Sequence, residues 1–493
     1  MATSDPTLTK RPKTDNDSVA VAAVTTVVSS PSSSLPSLPS SLPSQKATPS
    51  ITTTTTTTTS PRSIVTWNCN GFVTRCKYNV PELHLLQNKT NQPDMICLQE
   101  ARLKAKSSTC RGEPMASELN GPVENVLNTV FNEYIPYWSL ADSRYAGTLT
   151  LLHHKFQTSV QVAYSLDSAM DLLLKHYELT RDQVVGVKAS ISSSQTKDNN
   201  SAGATPKKQQ QQQKSISSFF KATAPSSSTK RPSSSNKRPR TTSRKQQQQQ
   251  QHQEEGRFQF FLFPDKDIVQ TYVPNHGMKM EKWEKRKQWD LEVLEFVQQR
   301  QLILDHVAKT TDNDNNNNHH HHHHHRTLLW CGDLNVAHTY MDGTDWKKTQ
   351  NGGEFYEWWT DESKCIIKNK KNVDYYDDDT KSKDPQYVGM PSFTPAERTR
   401  FSRFLQIGKL VDVWRQLHPH PCENWNAPHW TWRGHPGPKS PYANRGQRLD
   451  YFLLSESDTE RVESCRIMGT GNHKGLFCGS DHCVSLLVLK ENE

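Results

Sequence analysis

The chain has 493 residues and a formal net charge of +9. That length would allow up to about three domains, but residues 1–61 (Ser, Thr and Pro with eight consecutive threonines), 190–256 (Ser, Gln and Lys/Arg) and 310–325 (ending in seven histidines) are too poor in apolar residues to build a core. Roughly 350 residues remain, enough for one large domain; basicity is excluded as its signature, because residues 190–256 alone hold twelve Lys/Arg against three Asp/Glu.

Ten cysteines without a C-x-x-C pair suit a reducing compartment. The apolar stretch from Val19 to Val28 is too short to span a bilayer. Asp5, Asp15 and Asp17 precede it, which argues against a secretory leader. A soluble intracellular monomer is expected.

In chain order, Ser63–Asn68 and Asp94–Glu100 read as buried strands, and after the insert so do Phe258–Phe263 and Ile268–Pro274. Residues 281–309 carry an apolar stripe at helical spacing: Trp289, Val293, Phe296, Ile303 and Val307. Thr327–Asn335 is the next strand. Thr394-Pro395-Ala396-Glu397 then opens a helix with a capping box and proline at its first position, and Gly408 marks its expected end. Arg448–Leu454 and Cys483–Leu489 complete the strands. The mixture predicts a layered α/β fold, with 190–256 and 310–325 emerging as surface loops.

Polar residues recur where the apolar runs stop: Asn68 and Asn70, Glu100, Tyr272, Asp333 and Asn335, Asp450, then Asp481-His482. A capped strand end explains any one of them. Their recurrence at almost every strand points to a site along one edge of the sheets.

The segments WNCNG (67–71), LQE (98–100), YVPN (272–275), GDLNVAH (332–338), SFTPAERTRF (392–401), NRGQRLDY (444–451) and GSDH (479–482) resemble, in order, the motifs of the exonuclease III-like AP endonucleases of the endonuclease/exonuclease/phosphatase superfamily. The resemblance implies one catalytic domain over 62–489, built as a two-sheet sandwich flanked by helices in four layers. It implies incision on the 5′ side of abasic sites in duplex DNA, with 3′-exonuclease or 3′-phosphodiesterase activity alongside.

The implied cofactor is magnesium, or manganese, with Asn68, Glu100, Asp333, Asn335, Asp481 and His482 as metal-side residues. Mg²⁺ prefers hard oxygen ligands and keeps several waters. Asp333 is the implied general base and Asn335, two residues along the strand, its partner on the same face. His482 would donate to phosphate, Asp450 would fix its tautomer, and Tyr272 would contact phosphate.

DNA contacts are expected from Asn70, Arg75, Lys77, Asn275, Lys282, Arg286 and Arg448, with Arg445 a further candidate; Arg448 could instead pair inside the site. Trp430 and Trp432 are candidates for the wall of an abasic-sugar pocket, with core packing as the alternative. The chain departs from the pattern at Asn70, Met278, His429 and Gln447. An RNA or lipid phosphodiesterase, or a catalytically idle scaffold, are the competing readings.

Within 190–256, Gln213, Ile216, Phe219 and Phe220 have the Q-x-x-I-x-x-F-F form of sliding-clamp ligands. The basic clusters at 230–231, 237–240 and 244–245 resemble a bipartite nuclear import signal, with 10–13 a second candidate, which implies a nuclear protein with an organellar share left open.

Overall fold

The computed structural model describes residues 60–108, 111–184, 255–277, 280–313, 326–349, 352–356, 391–422, 424–435 and 445–491. The 1–61 tail apart from residues 60–61, most of the 190–256 insert, including the clamp-type motif and its basic clusters, and the histidine run lie outside these residues, as does Met278.

Twelve strands form two six-stranded sheets. The first contains β1 (Ser63–Asn68), β2 (Met95–Gln99), β3 (Tyr134–Ser139), β4 (Thr148–His153), β11 (Val462–Ile467) and β12 (Ser485–Leu489), ordered β11-β12-β1-β2-β4-β3. The second contains β5 (Gln161–Ala163), β6 (Phe258–Leu262), β7 (Lys266–Tyr272), β8 (Thr327–Asp333), β9 (Leu410–Asp412) and β10 (Asp450–Ser455), ordered β9-β10-β8-β7-β6-β5. Two of the pairings, β1–β2 and β7–β8, are parallel.

Apolar side chains on both faces of the central strands make the layers. In β1, Ile64 turns to the core between the sheets and Val65 to the outer core; in β8, Leu329 and Cys331 face inward and Leu328 and Trp330 outward. Such near-continuous apolar runs belong to strands buried on both faces. The outer face of the first sheet is covered by α1 (Phe72–Tyr78), α2 (Val80–Lys89) and α3 (Pro122–Thr129), through Phe72, Leu83, Leu86 and Val126. The outer face of the second is covered by α4 (Leu166–His176), α5 (Met280–Asn313) and α6 (Pro395–Gly408), through Leu173, Trp289, Phe296 and Phe404. The result is the expected four-layer α/β sandwich.

The helix read from Thr394 has its capping box: Thr394 Oγ1 accepts from Glu397 N, and Glu397 accepts from Thr394 N. The helix ends at Gly408 as expected, and Lys409 takes the left-handed cap at φ 49°.

Toward the end of the sandwich where β1, β2, β7 and β8 terminate, the layer between the sheets becomes polar. Gln270 Nε2 donates to Leu98 O (2.7 Å), Thr150 Oγ1 to Gln259 Oε1 (2.7 Å), and Gln99 Nε2 to Thr66 Oγ1 (3.1 Å). Because these groups are paired they do not weaken the layer, and the first two bonds join the sheets. Gly332, at φ 132°, lets β8 lie close to β7; a Cβ there would meet Thr271 O at 2.0 Å.

Candidate active site

Strand register gathers the polar strand ends. Pairing of β7 with β8 sets Tyr272 beside Asp333, and pairing of β10 with β8 sets Asp450 on its other side. In the facing sheet Asn68 pairs with Gln99, and Glu100 follows. Asn70, Glu100 and Asn335 then turn away with φ of 49°, 54° and 45°. Left-handed backbone is uncommon outside glycine and least costly for Asn, so Glu100 is the strained member.

Asn68 ties the sheets together. Its Nδ2 donates to Glu100 Oε1 (3.2 Å) and to Asp333 Oδ2 (2.9 Å). Tyr272 Oη donates to Glu100 Oε1 (2.5 Å), and Arg102 pairs with the other oxygen of Glu100. Asn335 donates its backbone N–H to Asp333 Oδ1 (3.0 Å) and its Nδ2 to Oδ2 (3.2 Å). His482 Nδ1 bonds Asp450 Oδ2 at 2.8 Å, and its Nε2 lies 4.0 Å from Asp333 Oδ2. Asp481 accepts from Asn70 Nδ2 (2.9 Å) and Trp432 Nε1 (3.1 Å).

The electrostatics follow from burial and from these partners. Burial pushes the Asp333 carboxyl up to about 7, with Asp450 adding to the rise and His482 opposing it. Burial alone would lower His482; Asp450 and Asp333 outweigh it and lift the imidazole to about 10, so it is a cation at neutral pH. Asp481 is held below the usual range because His482 and its hydrogen bonds overcome burial. Burial, then Glu100, raises Tyr272 well above its ordinary value, which keeps its hydroxyl a donor.

The donor set fits a divalent cation. Four carboxylates, Glu100, Asp333, Asp450 and Asp481, belong to this connected group, and His482 and Arg102 are the cations joined to them. Asp450 Oδ1 is buried without a hydrogen-bond partner. Hard oxygens in excess suit Mg²⁺, Mn²⁺ or Ca²⁺ rather than a soft metal.

The expected metal-side residues engage other groups as well. His482 Nδ1 bonds Asp450, and Asp333, Asp450 and His482 form a group whose ligand atoms lie within 4.8 Å of one another and could hold a metal ion. Asn68 and Asn335 present their amide N–H groups to the carboxylates; Asn68 Oδ1 accepts from Asn70 N and Asn335 Oδ1 from Asn275 Nδ2. Asn335 also lies beyond the end of β8, so its nearness to Asp333 comes from the turn and not from strand alternation.

Three expected DNA-facing cations are internal. Arg75 is buried and donates to Cys478 O. Arg286 is buried on backbone carbonyls and Asp290. Arg448 is fully buried and paired with Asp342 and Asp412. Trp430 is buried against Trp425 and His429, and Gln447 is buried too. None of these forms an open wall. Trp432 is half-buried and orients Asp481. Lys77, Lys282 and Asn275 are exposed, and Asn70 and Arg445 half-buried.

Sequence reasoning missed four contributors. Ser480 Oγ donates to Asn68 O (2.7 Å) and accepts from His482 N. Trp67 Nε1 donates to His482 O (3.0 Å). Arg102 neutralises Glu100, and buried Arg257 donates to Tyr272 O (3.1 Å). Ser480 and Trp67 stand inside the quoted motifs, and Arg102 lies two residues past one; Arg257 carries no local signal.

The profile described as Endonuclease/Exonuclease/phosphatase family matches residues 65–482. Among characterised sequences, a DNA-(apurinic or apyrimidinic site) endonuclease of Arabidopsis thaliana is 26% identical over 445 residues, 87% of this chain and 85% of its own length. One of Plasmodium berghei is 27% identical over 250 residues, 48% of this chain and 37% of its own length. Among solved structures, an AP endonuclease from Leishmania major aligns over 88% of each chain at 18% identity and a TM-score of 0.44.

Proposed function

The chain belongs to the endonuclease/exonuclease/phosphatase family, and from that membership we propose that it is a metal-dependent DNA repair nuclease cutting the phosphodiester 5′ to abasic sites in duplex DNA. One observation carries the reading. Asp333, the Asp450–His482 pair and Glu100 lie in one network of hydrogen bonds and ion pairs, reached from both sheets through Asn68.

Asp333, poised near neutrality, takes a proton from the attacking water, as a general base should at this pH. Asn335 orients that water and holds Asp333. His482, kept cationic by Asp450, donates to a non-bridging phosphate oxygen as charge builds there. The Tyr272 hydroxyl, which donates to Glu100, would turn to phosphate when substrate binds. A divalent ion, magnesium in this proposal, would be held by Glu100 and Asp481 and supply neutralisation of phosphate charge.

The substrate class rests on the motif series and on the relatives' names. 3′-Exonuclease or 3′-phosphodiesterase activity on the same site is part of the proposal. Lys77 and Lys282, both exposed, are the cations proposed to contact phosphate, and binding should weaken steeply with salt.

The test is a substrate panel of abasic duplex, intact duplex, RNA and a lipid phosphodiester, with and without EDTA. Cleavage of the abasic duplex, abolished by EDTA, is expected; preference for RNA or lipid would refute the proposal. Residues 213–220 are proposed to dock on a sliding clamp, and the basic clusters to direct nuclear import. Capture on immobilised clamp should vanish with Phe219→Ala/Phe220→Ala, and substitution of Lys237, Arg238 and Arg240 should release a fluorescent fusion from the nucleus.

A further inference from the structure

We propose that Arg286 is a positioning residue: its guanidinium, lying beneath the site, sets the turn that carries Asp333 and Asn335 against the loop that carries Tyr272 and Asn275. The kinetic half of this inference rests on the function proposed above; the structural half does not.

Arg286 projects from α5 and is 3% exposed. Nη1 donates to Asn335 O (2.8 Å) and Pro274 O (3.2 Å), and Nη2 to Leu334 O (3.1 Å). These carbonyls belong to the two chain segments leaving β7 and β8. Both segments have left the ladder, so their buried carbonyls need another donor. Without one, each would carry a desolvation cost of about 1–3 kcal/mol.

The same guanidinium supports an unfavourable backbone, since Asn335 sits at φ 45°. On the site side, Asn275 Nδ2 donates to Asn335 Oδ1 (3.1 Å). Asn335 Nδ2 also donates to Val273 O (2.9 Å) and Val273 N to Asp333 O (2.9 Å), so the guanidinium braces from below two segments that amide and backbone bonds already join. Arg286 is itself held: Asp290 Oδ1 accepts from its Nε (2.8 Å), Asp290 Oδ2 accepts from Arg400 Nε (2.7 Å), and Glu397 lies 3.9 Å away. A planar fork can serve three carbonyls at once, whereas a lysine ammonium is a point donor. A cavity of about 30 Å³, lined by Arg286 and Asp290 together with Trp289 and Phe401, adjoins it.

The full chain is compared with Arg286→Lys, Arg286→Met and Arg286→Ala. Hydrogen exchange is followed in peptides covering 333–337 and, as reference, 328–331, without substrate; kcat and KM are then measured on abasic duplex over a salt series. The expected result is faster exchange in 333–337 only, kcat lower by about 10- to 100-fold, and KM within about threefold of wild type. Millimolar methylguanidinium, entering the vacated space beside the cavity, is expected to restore part of the turnover of Arg286→Ala.

A raised KM and a shallower salt slope with unchanged kcat would make Arg286 a DNA contact and overturn the inference. So would unchanged exchange, or a uniform rise across both peptides. If Arg286→Met does not fold, the Lys variant decides by the same readouts. If the wild-type chain leaves abasic duplex uncut, the proposed function falls while the exchange comparison still decides the role of Arg286.

Discussion

His482 shows how the site assigns charge. Its neighbours Asp450 and Asp333 overcome burial and take the imidazole to about 10, while the same buried surroundings take the Asp333 carboxyl to about 7. In the proposed mechanism the group that accepts a proton is thus near balance at neutral pH, and the group that donates stays charged. In metal-free protein, an NMR titration should find His482 protonated through pH 8. Asp450→Asn should bring its titration down toward the ordinary 6.5; a wild-type midpoint below 7 would contradict this division of roles. Arg448 makes a different point at the same scale. With no exposure and bonds to Asp342 and Asp412, its replacement by Met leaves buried carboxylates short of a partner. A loss of about 3–5 kcal/mol is expected in urea unfolding. A DNA-contacting arginine would leave stability unchanged and alter salt-dependent binding instead.

Among the elements, α6 ties stability to the site. Burial would raise Glu397, but His276, then Arg286, together with the Thr394 bond, hold its carboxyl at about 2 against an ordinary 4.5. The sign is that of a depressed acid: the contribution is complete above pH 4.5 and is lost as pH falls toward 2. Its size is on the order of 3 kcal/mol, and Glu397→Gln should flatten stability across that window in acid titrations followed by circular dichroism. The α6 start was legible because a capping box is local chemistry. The central strands other than β4, whose TLTLLH mixes threonine into the run, were legible because burial on both faces leaves a continuous apolar run. The edge strand β3 was not: YIPYWS places Pro136 mid-strand, which an edge tolerates and a central strand does not. Neither was α1, which begins at Gly71 with no side-chain cap. Arg286 was misread because a lone arginine looks like surface: Asp290 four residues on reads as an ordinary surface pair, and its other acceptors are backbone carbonyls. For Arg448 the internal alternative holds, with partners far away in sequence.

At the scale of the molecule, two sheets each bring half of a constellation to one end of the sandwich. The first contributes Asn68 and Glu100, with Asp481-His482 leading into β12; the second contributes Tyr272, Asp333 and Asp450. Every motif residue at a strand end was visible in the sequence, but the sequence could not say which groups face the metal side, because that depends on which amide atoms and which imidazole nitrogens are already engaged. In the proposed reaction Asp333, steered by Asn335 and faced by cationic His482, activates water against an abasic-site phosphodiester. The most direct measurement is single-turnover cleavage of a 5′-labelled abasic duplex by the wild-type chain and by Asp333→Asn. The expected result is a wild-type product ending in a 3′-hydroxyl immediately 5′ of the lesion, and a rate about 10²- to 10⁴-fold lower for the variant. An Asp333→Asn chain that cuts at the wild-type rate would contradict it.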